Sequence, residues 1–338
     1  MKQSNPLRSN VDALAQGVLS GDRVVLGQAI TLIESQLDKD QQAAALLLEQ
    51  VLPKSGKAIR VGITGVPGVG KSTFIESLGK FLVNKGKKLA VLTIDPTSPI
   101  TKGSILGDKT RMEELSKHPS AFIRPSSSAN ATGGVAYKTR EAIYLCEAAG
   151  YEVVIVETVG VGQSEISVSN MVDFFLLLIL AGAGDELQGM KRGIMEMADA
   201  IVITKADGSN LKNAVQAQGI YQQAVHLFPI PESGWRPTVL TSSAITGKGT
   251  EEAWDIITKH NEHVKSSGFL SKNRSSQNIS WFHDCFLQLL KKDLVEFKGL
   301  KNIQKNLEKQ VSNLSISSQS AARQLLDSYH KELRNKKT

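Results

Sequence analysis

Residues 59–73 read IRVGITGVPGVGKST. This stretch opens on an apolar run, which predicts a buried β-strand, and leads into residues 72–84, whose apolar spacing predicts a helix. Between the two lies the pattern G-x-x-x-x-G-K-S, from Gly65 to Ser72. A strand, a glycine-rich turn and a helix in this order are typical of the phosphate-binding loop of nucleoside triphosphatases.

The residue types of this loop suit a triphosphate. Glycines leave the backbone N–H groups open to the phosphates, and the helix adds its unpaired N–H groups and the positive end of its dipole. Lys71 places a positive charge near the β- and γ-phosphates, and the Ser72 hydroxyl is a ligand for Mg²⁺. The predicted nucleotide contacts here are Gly65, Val66, Pro67, Gly68, Val69, Gly70, Lys71, Ser72 and Thr73.

Six further apolar runs predict strands that alternate with helices such as 134–149 and 209–226. The runs cover 88–95, 122–124, 152–157, 174–181, 200–204 and 239–241. Because these runs show no polar alternation, both faces of the sheet are expected to be covered, as in parallel α/β folds. The sequence therefore predicts an α/β P-loop domain with a mostly parallel central sheet, whose ligands lie at the carboxyl ends of the strands.

Three regions are predicted. Residues 1–55 form a helical N-terminal extension, in which Ser20 or Asp22 caps the segment that begins near residue 24. Residues 56–264 form the P-loop domain, and 265–338 form a helical arm. Within the arm, the polar residues 266–278 are interpreted as a linker that precedes helices over 279–297 and 300–335.

Composition narrows the class of protein. The net charge of the 338-residue chain is +7, and from residue 259 onward 15 Lys/Arg face 7 Asp/Glu. These charges alternate with apolar positions and no nucleic-acid-binding motif accompanies them, so we expect a solvated helical surface and no nucleic-acid partner.

The longest apolar run is shorter than the about 20 residues that span a bilayer. Two distant cysteines, both expected to be buried thiols, and a polar start without a signal pattern predict a cytoplasmic protein with no membrane partner.

An acid at a strand end predicts the magnesium site. Glu157 closes an apolar strand and is followed by Gly160, a spacing at which GTPases reach Mg²⁺ with the acid and the γ-phosphate with the glycine N–H. Asp95 ends another strand, and a loop connects it to Asp108. Carboxylate and hydroxyl oxygens are ligands that Mg²⁺ prefers. A cap of a helix over 108–117 is a second role for Asp108, compatible with the first.

The tetrad Thr204-Lys205-Ala206-Asp207 is close to N-K-x-D, which selects guanine. The aspartate accepts two hydrogen bonds from the guanine edge, and adenine cannot offer that pair of donors. The lysine stem stacks on the base, while Thr204 replaces an asparagine that braces neighbouring loops, so some loss of rigidity is expected. Ser242, Ser243 and Ala244 match the loop whose backbone contacts the guanine oxygen. The predicted nucleotide is GTP or GDP rather than ATP.

Four long motifs resemble the MeaB/MMAA family of GTPases, which act as chaperones of methylmalonyl-CoA mutase. They read DPTSPITKGSILGDKTRM, RPSSSANATGGVA, VETVGVGQSE and AGAGDELQGMKRGIMEMADAIVITKADG, and the resemblance covers about residues 10–330. It implies a homodimer of P-loop GTPases with a C-terminal dimerisation arm. It also implies that GTP hydrolysis gates adenosylcobalamin transfer to the mutase and protects that enzyme. Lys102 departs from the family pattern, which has a small residue there.

The same resemblance implies roles for individual residues. Ser72, Asp95, Asp108 and Glu157 form the Mg²⁺ neighbourhood, and Lys71, Asp95 and Glu157 serve catalysis. Residues 183–192 form a switch that responds to the partner, with Asp185 and Lys191 as its acting residues, and Lys191 supplies positive charge to the transition state. Without the resemblance, a solvated lysine on a helix face is the simpler interpretation of Lys191.

Two alternatives remain. A GTPase that inserts nickel belongs to a related class, but it needs His-rich or paired Cys ligands, and this chain has six scattered His and two lone Cys. A kinase associated with amino-acid transport needs a second substrate pocket with a base, which the sequence does not reveal. The sequence shows no obvious arginine finger within the chain. We therefore expect GTP hydrolysis to be slow until a partner binds.

Overall fold

The computed structural model describes residues 10–95, 112–127, 134–158, 164–181 and 192–335. Two compact units divide the chain, Met1–Arg274 and Ser275–Thr338. In the first unit, one sheet carries the nucleotide-binding motifs. In the second, a small cluster of Phe297, Leu300 and Tyr329 joins the helices.

The sheet has seven strands in the order β3-β2-β4-β1-β5-β6-β7, and every described pairing is parallel. The strands are β1 (Ile59–Gly65), β2 (Leu89–Asp95), β3 (Ala121–Ser127), β4 (Val153–Thr158), β5 (Phe174–Leu180), β6 (Ala200–Thr204) and β7 (Thr238–Thr241). Alternate residues of one strand enter opposite cores: Ala90 and Leu92 pack on one face, Leu89 and Val91 on the other. Burial on both faces explains the unbroken apolar runs and confirms the predicted α/β class.

Thirteen α-helices lie in the described residues. They are α1 (Val11–Leu19), α2 (Arg23–Glu34), α3 (Asp38–Val51), α4 (Lys71–Asn84), α5 (Glu113–Lys117), α6 (Gly134–Ala148), α7 (Ser164–Ser169), α8 (Arg192–Met197), α9 (Leu211–His226), α10 (Thr250–Ser266), α11 (Phe269–Glu296), α12 (Lys301–Ser312) and α13 (Ser318–Asn335). Single 3₁₀ turns occupy Leu52–Lys54, Gly208–Asn210 and Lys298–Leu300. None of the described helices is both long and apolar enough to cross a bilayer.

The N-terminal extension consists of three helices, α1 to α3, that share the core of the sheet. Leu14, Leu26 and Leu47 of these helices are fully buried in the same cluster as the α6 side of the sheet. Asp22 caps α2 by accepting hydrogen bonds from the backbone N–H groups of Val24 and Val25 at 2.8 and 3.1 Å, so of the two predicted caps Asp22 is the one used. The extension therefore belongs to the hydrophobic core of the first unit.

The predicted linker at 266–278 is wrong. Only two residues separate α10 from α11, and the turn uses Gly268 at φ +75°. Most of the supposed linker belongs to α11, whose polar residues have modest helix propensity and are supported by tertiary contacts. The arm region 300–335 also contains two helices, which are separated near Leu314 at φ +59°.

One of the two predicted buried thiols is buried. Cys146 in α6 has no exposed surface, and burial raises the pKa of its thiol, which makes it unreactive. Cys285 in α11 is partly exposed, so the prediction of a buried thiol is wrong there. Its helix carries apolar residues on an exposed face, and the apolar spacing alone does not distinguish such a face from a core-facing one.

A polar network closes the amino-terminal edge of the sheet. Arg274, in the first turns of α11, donates to both carboxylate oxygens of Asp173 at 2.7 and 2.6 Å. It also donates to the carbonyl oxygens of Gly56 and Ala58 at 2.6 and 2.7 Å. The Asp173 side chain is 1% exposed and also accepts from the backbone N–H of Arg60 at 2.9 Å. Removing one partner of such a buried pair costs about 3–5 kcal/mol, so Arg274 fixes the first turns of α11 to the residues that directly precede β1 and β5.

Candidate nucleotide-binding site

Gly65 ends β1 against the neighbouring strand β5. Its φ of +153° is unfavourable for other residues, and a Cβ here would lie 2.5 Å from the carbonyl oxygen of Leu178. Glycine at this position is thus required by the packing of the sheet as well as by the predicted phosphate contacts. Gly70, at φ +97°, begins α4 in the left-handed region, where glycine has no steric penalty.

Lys71 folds back over its own loop. Its Nζ donates to the carbonyl oxygens of Gly65 and Val66 at 2.7 and 3.2 Å, and the residue is 7% exposed. These carbonyls hold the ammonium group beside the N-terminus of α4, where the backbone N–H groups of a helix favour an anion. The loop therefore gathers the positive charge of Lys71 and the open helix end at one place.

The structure brings Ser72 and Glu157 together. The Ser72 hydroxyl donates to Glu157 Oε1 at 3.0 Å, and Glu157 is 5% exposed. The register of β1 and β4 pairs Ile63 with Glu157, which explains why the strand-end acid reaches the loop. Nearby, Thr158 donates to the hydroxyl of Thr64 at 2.8 Å and joins the ends of the same two strands.

The described residues fit part of the predicted magnesium site. Ser72 and Glu157 offer a hydroxyl and a carboxylate oxygen, the hard donors that Mg²⁺ prefers. Asp95 is the last residue of β2, and its neighbour Ile94 pairs with Thr158, so its backbone lies at the same edge of the sheet. Over the described ranges, no three His, Cys, Asp or Glu side chains form a cluster suited to a metal ion.

Thr204 connects two elements of the site. Its buried hydroxyl lies 2.7 Å from the carbonyl oxygen of Val69 in the phosphate loop and 3.3 Å from that of Ile179 in β5. A single hydroxyl hydrogen serves one acceptor at a time, and the shorter contact is the one to the loop. Thr204, which replaces the asparagine, therefore still connects the TKAD tetrad to the phosphate loop. What it lacks is the second donor hydrogen of an asparagine amide.

The next residues of the tetrad face a small cavity. Lys205 has φ +54°, and its Nζ donates to the carbonyl oxygen of Gly68 at 3.1 Å, which carries its stem across the loop. The Asp207 carboxylate accepts from the Ser243 hydroxyl at 2.5 Å. Ser243 is fully buried, so it holds that carboxylate in one orientation.

The cavity has a volume of about 160 Å³. It is lined by Val69, Gly70, Thr73, Phe74, Thr204, Lys205, Asp207, Ser242, Ala244 and Ile245. Sequence reasoning missed Phe74 and Ile245. Ile245 directly follows the predicted Ser-Ser-Ala loop, and this adjacency is the only signal in the sequence that points to it; the structure adds that it is 84% exposed.

Comparison with known proteins identifies the family. The profile of the family described as "Methylmalonyl Co-A mutase-associated GTPase MeaB" matches residues 26–299. The chain belongs to the MeaB family. A MeaB-family chain is a GTPase associated with methylmalonyl-CoA mutase, so the resemblance and the GTP hydrolysis that the sequence predicts are both confirmed.

Individual relatives agree with this membership. A "Probable GTPase" of Mycobacterium tuberculosis is 46% identical over 317 residues, which is 94% of each chain. The "Methylmalonic aciduria type A homolog, mitochondrial" of Mus musculus is 43% identical over 94% of this chain and 79% of its own. A solved "LAO/AO transport system kinase" has a TM-score of 0.75 at 36% identity, over 94% of this chain and 97% of its own. That name is compatible with the kinase alternative, but the family match favours the mutase-associated GTPase.

Several residues predicted from the MeaB resemblance lie outside the described ranges. These are Asp108, Gly160 and Lys191, together with Lys102 and most of the switch at 183–192. In the described part of this MeaB-family chain, one edge of the sheet brings together the phosphate loop, Glu157, the TKAD tetrad and the Ser242–Ala244 loop. The roles of these residues in nucleotide binding are inferred from the chemistry of their side chains and backbone.

Proposed function

We propose that this chain hydrolyses GTP as a chaperone of an adenosylcobalamin-dependent acyl-CoA mutase, gating cofactor loading and protecting the mutase. The observation that carries the proposal is the joint placement of a phosphate loop and a guanine-type cavity in a chain of the MeaB family. The names of its relatives support the mutase as the partner.

The cavity beside Lys205 is proposed to hold the guanine base. Asp207 accepts from the two N–H donors of the guanine edge, and its hydrogen bond from Ser243 keeps the carboxylate turned toward them. Lys205 covers one face of the ring with its stem, and Ile245 and Phe74 supply apolar surface. The backbone of Ser242 to Ala244 contacts the guanine oxygen.

Ser72 and Glu157 are proposed to hold Mg²⁺, with Asp95 and Asp108 in its neighbourhood. When bound, the ion neutralises charge on the β- and γ-phosphates. Lys71 turns from the carbonyls of its own loop to the phosphates, and the N–H groups from Gly65 to Thr73 surround them. The N–H of Gly160 meets the γ-phosphate. Charge stabilisation by these fixed groups supports hydrolysis by the chain alone, and the lack of an obvious arginine finger in its sequence keeps that hydrolysis slow.

Acceleration is proposed to come from the partner. Lys191 lies in the segment 183–192 that resembles a partner-responsive switch, and a cation brought to the transition state in this way acts as an arginine finger does. Hydrolysis then reports that the mutase is docked, which makes GTP turnover a timer for cofactor loading. The cytoplasm is the proposed location, because a GTPase requires the cell's GTP and neither cysteine forms a disulfide.

A homodimer is proposed to form through α11. This helix exposes an apolar stripe at helical spacing, at Ile279, Phe282, Phe286, Leu289 and Leu290, with exposed fractions between 42% and 64%. Apolar stripes of this size mark interaction surfaces. The resemblance supports a second copy of the chain as the partner that covers it.

The first prediction concerns base selection. Asp207→Asn replaces an acceptor with a donor, so GTP affinity should fall about 10- to 100-fold and xanthosine triphosphate should gain. Titration calorimetry with both nucleotides measures this shift. Asp255→Asn, an exposed aspartate on α10, is the matched control and should change neither affinity. An unchanged preference in Asp207→Asn would refute the role of Asp207 in base recognition.

The second prediction concerns the metal. Glu157→Gln keeps an acceptor for Ser72 but removes the negative charge, so the Mg²⁺ concentration for half-maximal hydrolysis should rise at least about tenfold. Phosphate release across a Mg²⁺ series gives this value, and Glu113→Gln on the exposed start of α5 serves as the control. Equal Mg²⁺ dependence in Glu157→Gln and the native chain would remove Glu157 from the metal site.

The third prediction tests the partner. Purified methylmalonyl-CoA mutase should bind the chain in a pull-down and raise its GTP turnover at least about tenfold. Lys191→Ala should lose most of the stimulated rate, whereas Lys212→Ala should behave as the native chain does. Neither complex nor stimulation with the mutase would contradict the proposal, and stimulation by a different acyl-CoA mutase would change the client.

The fourth prediction tests the dimer. Light scattering should find a dimer for the native chain and a monomer for Phe282→Glu/Phe286→Glu, since burial of each phenylalanine contributes about 2 kcal/mol. The control Leu227→Glu/Ile230→Glu makes the same chemical change at two other exposed apolar residues and should remain dimeric. Circular dichroism checks that both variants fold. A native monomer, or a folded dimer of the α11 variant, would show that α11 does not form the interface.

A further inference from the structure

A second cavity lies at the opposite edge of the sheet from the phosphate loop. Its volume is about 640 Å³, and it is built around the first residues of β1 and β4, Ile59 and Val153. Gly65, at the other end of β1, is six residues further along the strand, which corresponds to about 20 Å. The cavity is therefore separate from the proposed nucleotide site.

Lysines dominate the charge of this cavity. The titratable lining residues are Lys54, Lys57, Lys87, Lys265, Glu147, Glu152 and Tyr151. Both carboxylates already have cationic partners. Glu152 accepts from Lys87 at 2.6 Å, and this hydrogen bond lowers the pKa of Glu152. Glu147 has no exposed side-chain surface and accepts from Arg60 and from the backbone N–H of Gly56, at 2.8 and 2.7 Å.

Besides Lys87, which pairs with Glu152, three lysines line the cavity. Among the described residues, Lys54, Lys57 and Lys265 have no carboxylate within ion-pair distance, and all three are exposed. Lys54 and Lys265 lie in the last turns of helical segments, where a cation also offsets the helix dipole. That role does not account for Lys57, which lies outside any helix. A bound anion would give these lysines a counter-charge.

Lys57 also has a fixed backbone. Its neighbour Gly56 donates to Glu147 and accepts from Arg274, and its other neighbour Ala58 accepts from Arg274 at 2.7 Å. A site whose backbone is already ordered loses less entropy when it binds a ligand. The network that anchors α11 thus also preorganises one wall of the cavity.

The remaining wall is apolar and aromatic. Half-buried Trp254 on α10 and buried Tyr151 line it together with Leu19, Ile59 and Val153. Burial raises the pKa of Tyr151 to about 12, so its ring stays neutral and suits an uncharged part of a ligand. Cavities of about 300–1,000 Å³ accept molecules of drug or nucleotide size. Lysine ammonium groups bind phosphate as point charges.

We propose that this cavity binds a small organic phosphate of nucleotide type, with its phosphates on Lys54, Lys57 and Lys265 and its ring system toward Trp254. The site is additional to the GTP site and sits where the first residues of β1 and β4 and the helix α10 meet the extension. The ligand needs both a phosphate group and a ring system, because the lysines attract only the charged group and the aromatic wall attracts only the ring.

Adenosine diphosphate is the probe, because the proposed guanine cavity does not select adenine. The full chain is loaded with one equivalent of GDP, freed of excess nucleotide and titrated by calorimetry at constant Mg²⁺. Adenosine diphosphate should bind, tripolyphosphate should bind more weakly, and adenosine should bind weakest of the three. The variant Lys54→Gln/Lys57→Gln/Lys265→Gln should bind adenosine diphosphate at least about tenfold more weakly, with a reduced dependence on salt.

The matched control is Lys39→Gln/Lys212→Gln/Lys259→Gln, which removes the same charge from exposed lysines outside the cavity and should bind as the native chain does. Equal loss in both triple variants would reduce the effect to net charge and overturn the proposal. So would the absence of adenosine diphosphate binding at millimolar concentration, or binding that releases the GDP. Binding of a hexaglutamate peptide in its place would overturn it in favour of an acidic partner segment.

Discussion

The close approach of β1 to β5 at Gly65 is the constraint on which the site depends. The carbonyl oxygen of Leu178 occupies the space that a Cβ would need, so only glycine fits at this end of β1, where the chain turns into the phosphate loop. Lys71, at the end of the loop, donates a hydrogen bond to the carbonyl oxygen of Gly65 at its start. Thr204 donates to the carbonyl oxygen of Val69 and so connects the loop to the end of β6. A substitution at Gly65 would move the loop, the helix behind it and the guanine-type cavity together.

The two edges of the sheet use polar groups in different ways. At the carboxyl edge, the Ser72 hydroxyl donates a single hydrogen bond to the Glu157 carboxylate. At the amino edge, Arg274 and Asp173 form a buried bidentate pair with additional backbone partners. The first arrangement suits exchange of a bound molecule, whereas the second has its donors and acceptors engaged inside the protein and suits a fixed anchor.

For Thr204, the residue type predicts one part of its hydrogen bonding and the fold determines the rest. Its departure from asparagine predicts a weaker brace, because a hydroxyl has one donor hydrogen where an amide has two. The structure retains the contact to Val69 at 2.7 Å, since the end of β6 lies directly beside the loop. The residue type sets how many hydrogen bonds are available, and the strand order sets which of them are made.

The parallel α/β class, the phosphate loop, the approximate strands and the family could all be predicted from the amino-acid sequence, since unbroken apolar runs and short motifs at strand ends are local signals. Only the tertiary structure decided that 269–278 is helical, because Arg274 meets Asp173 more than a hundred residues away. The same holds for the contact between Ser72 and Glu157 and for the lysine-lined cavity. Strand register and the packing of distant helices create these sites, and neither is encoded in any one stretch of the chain.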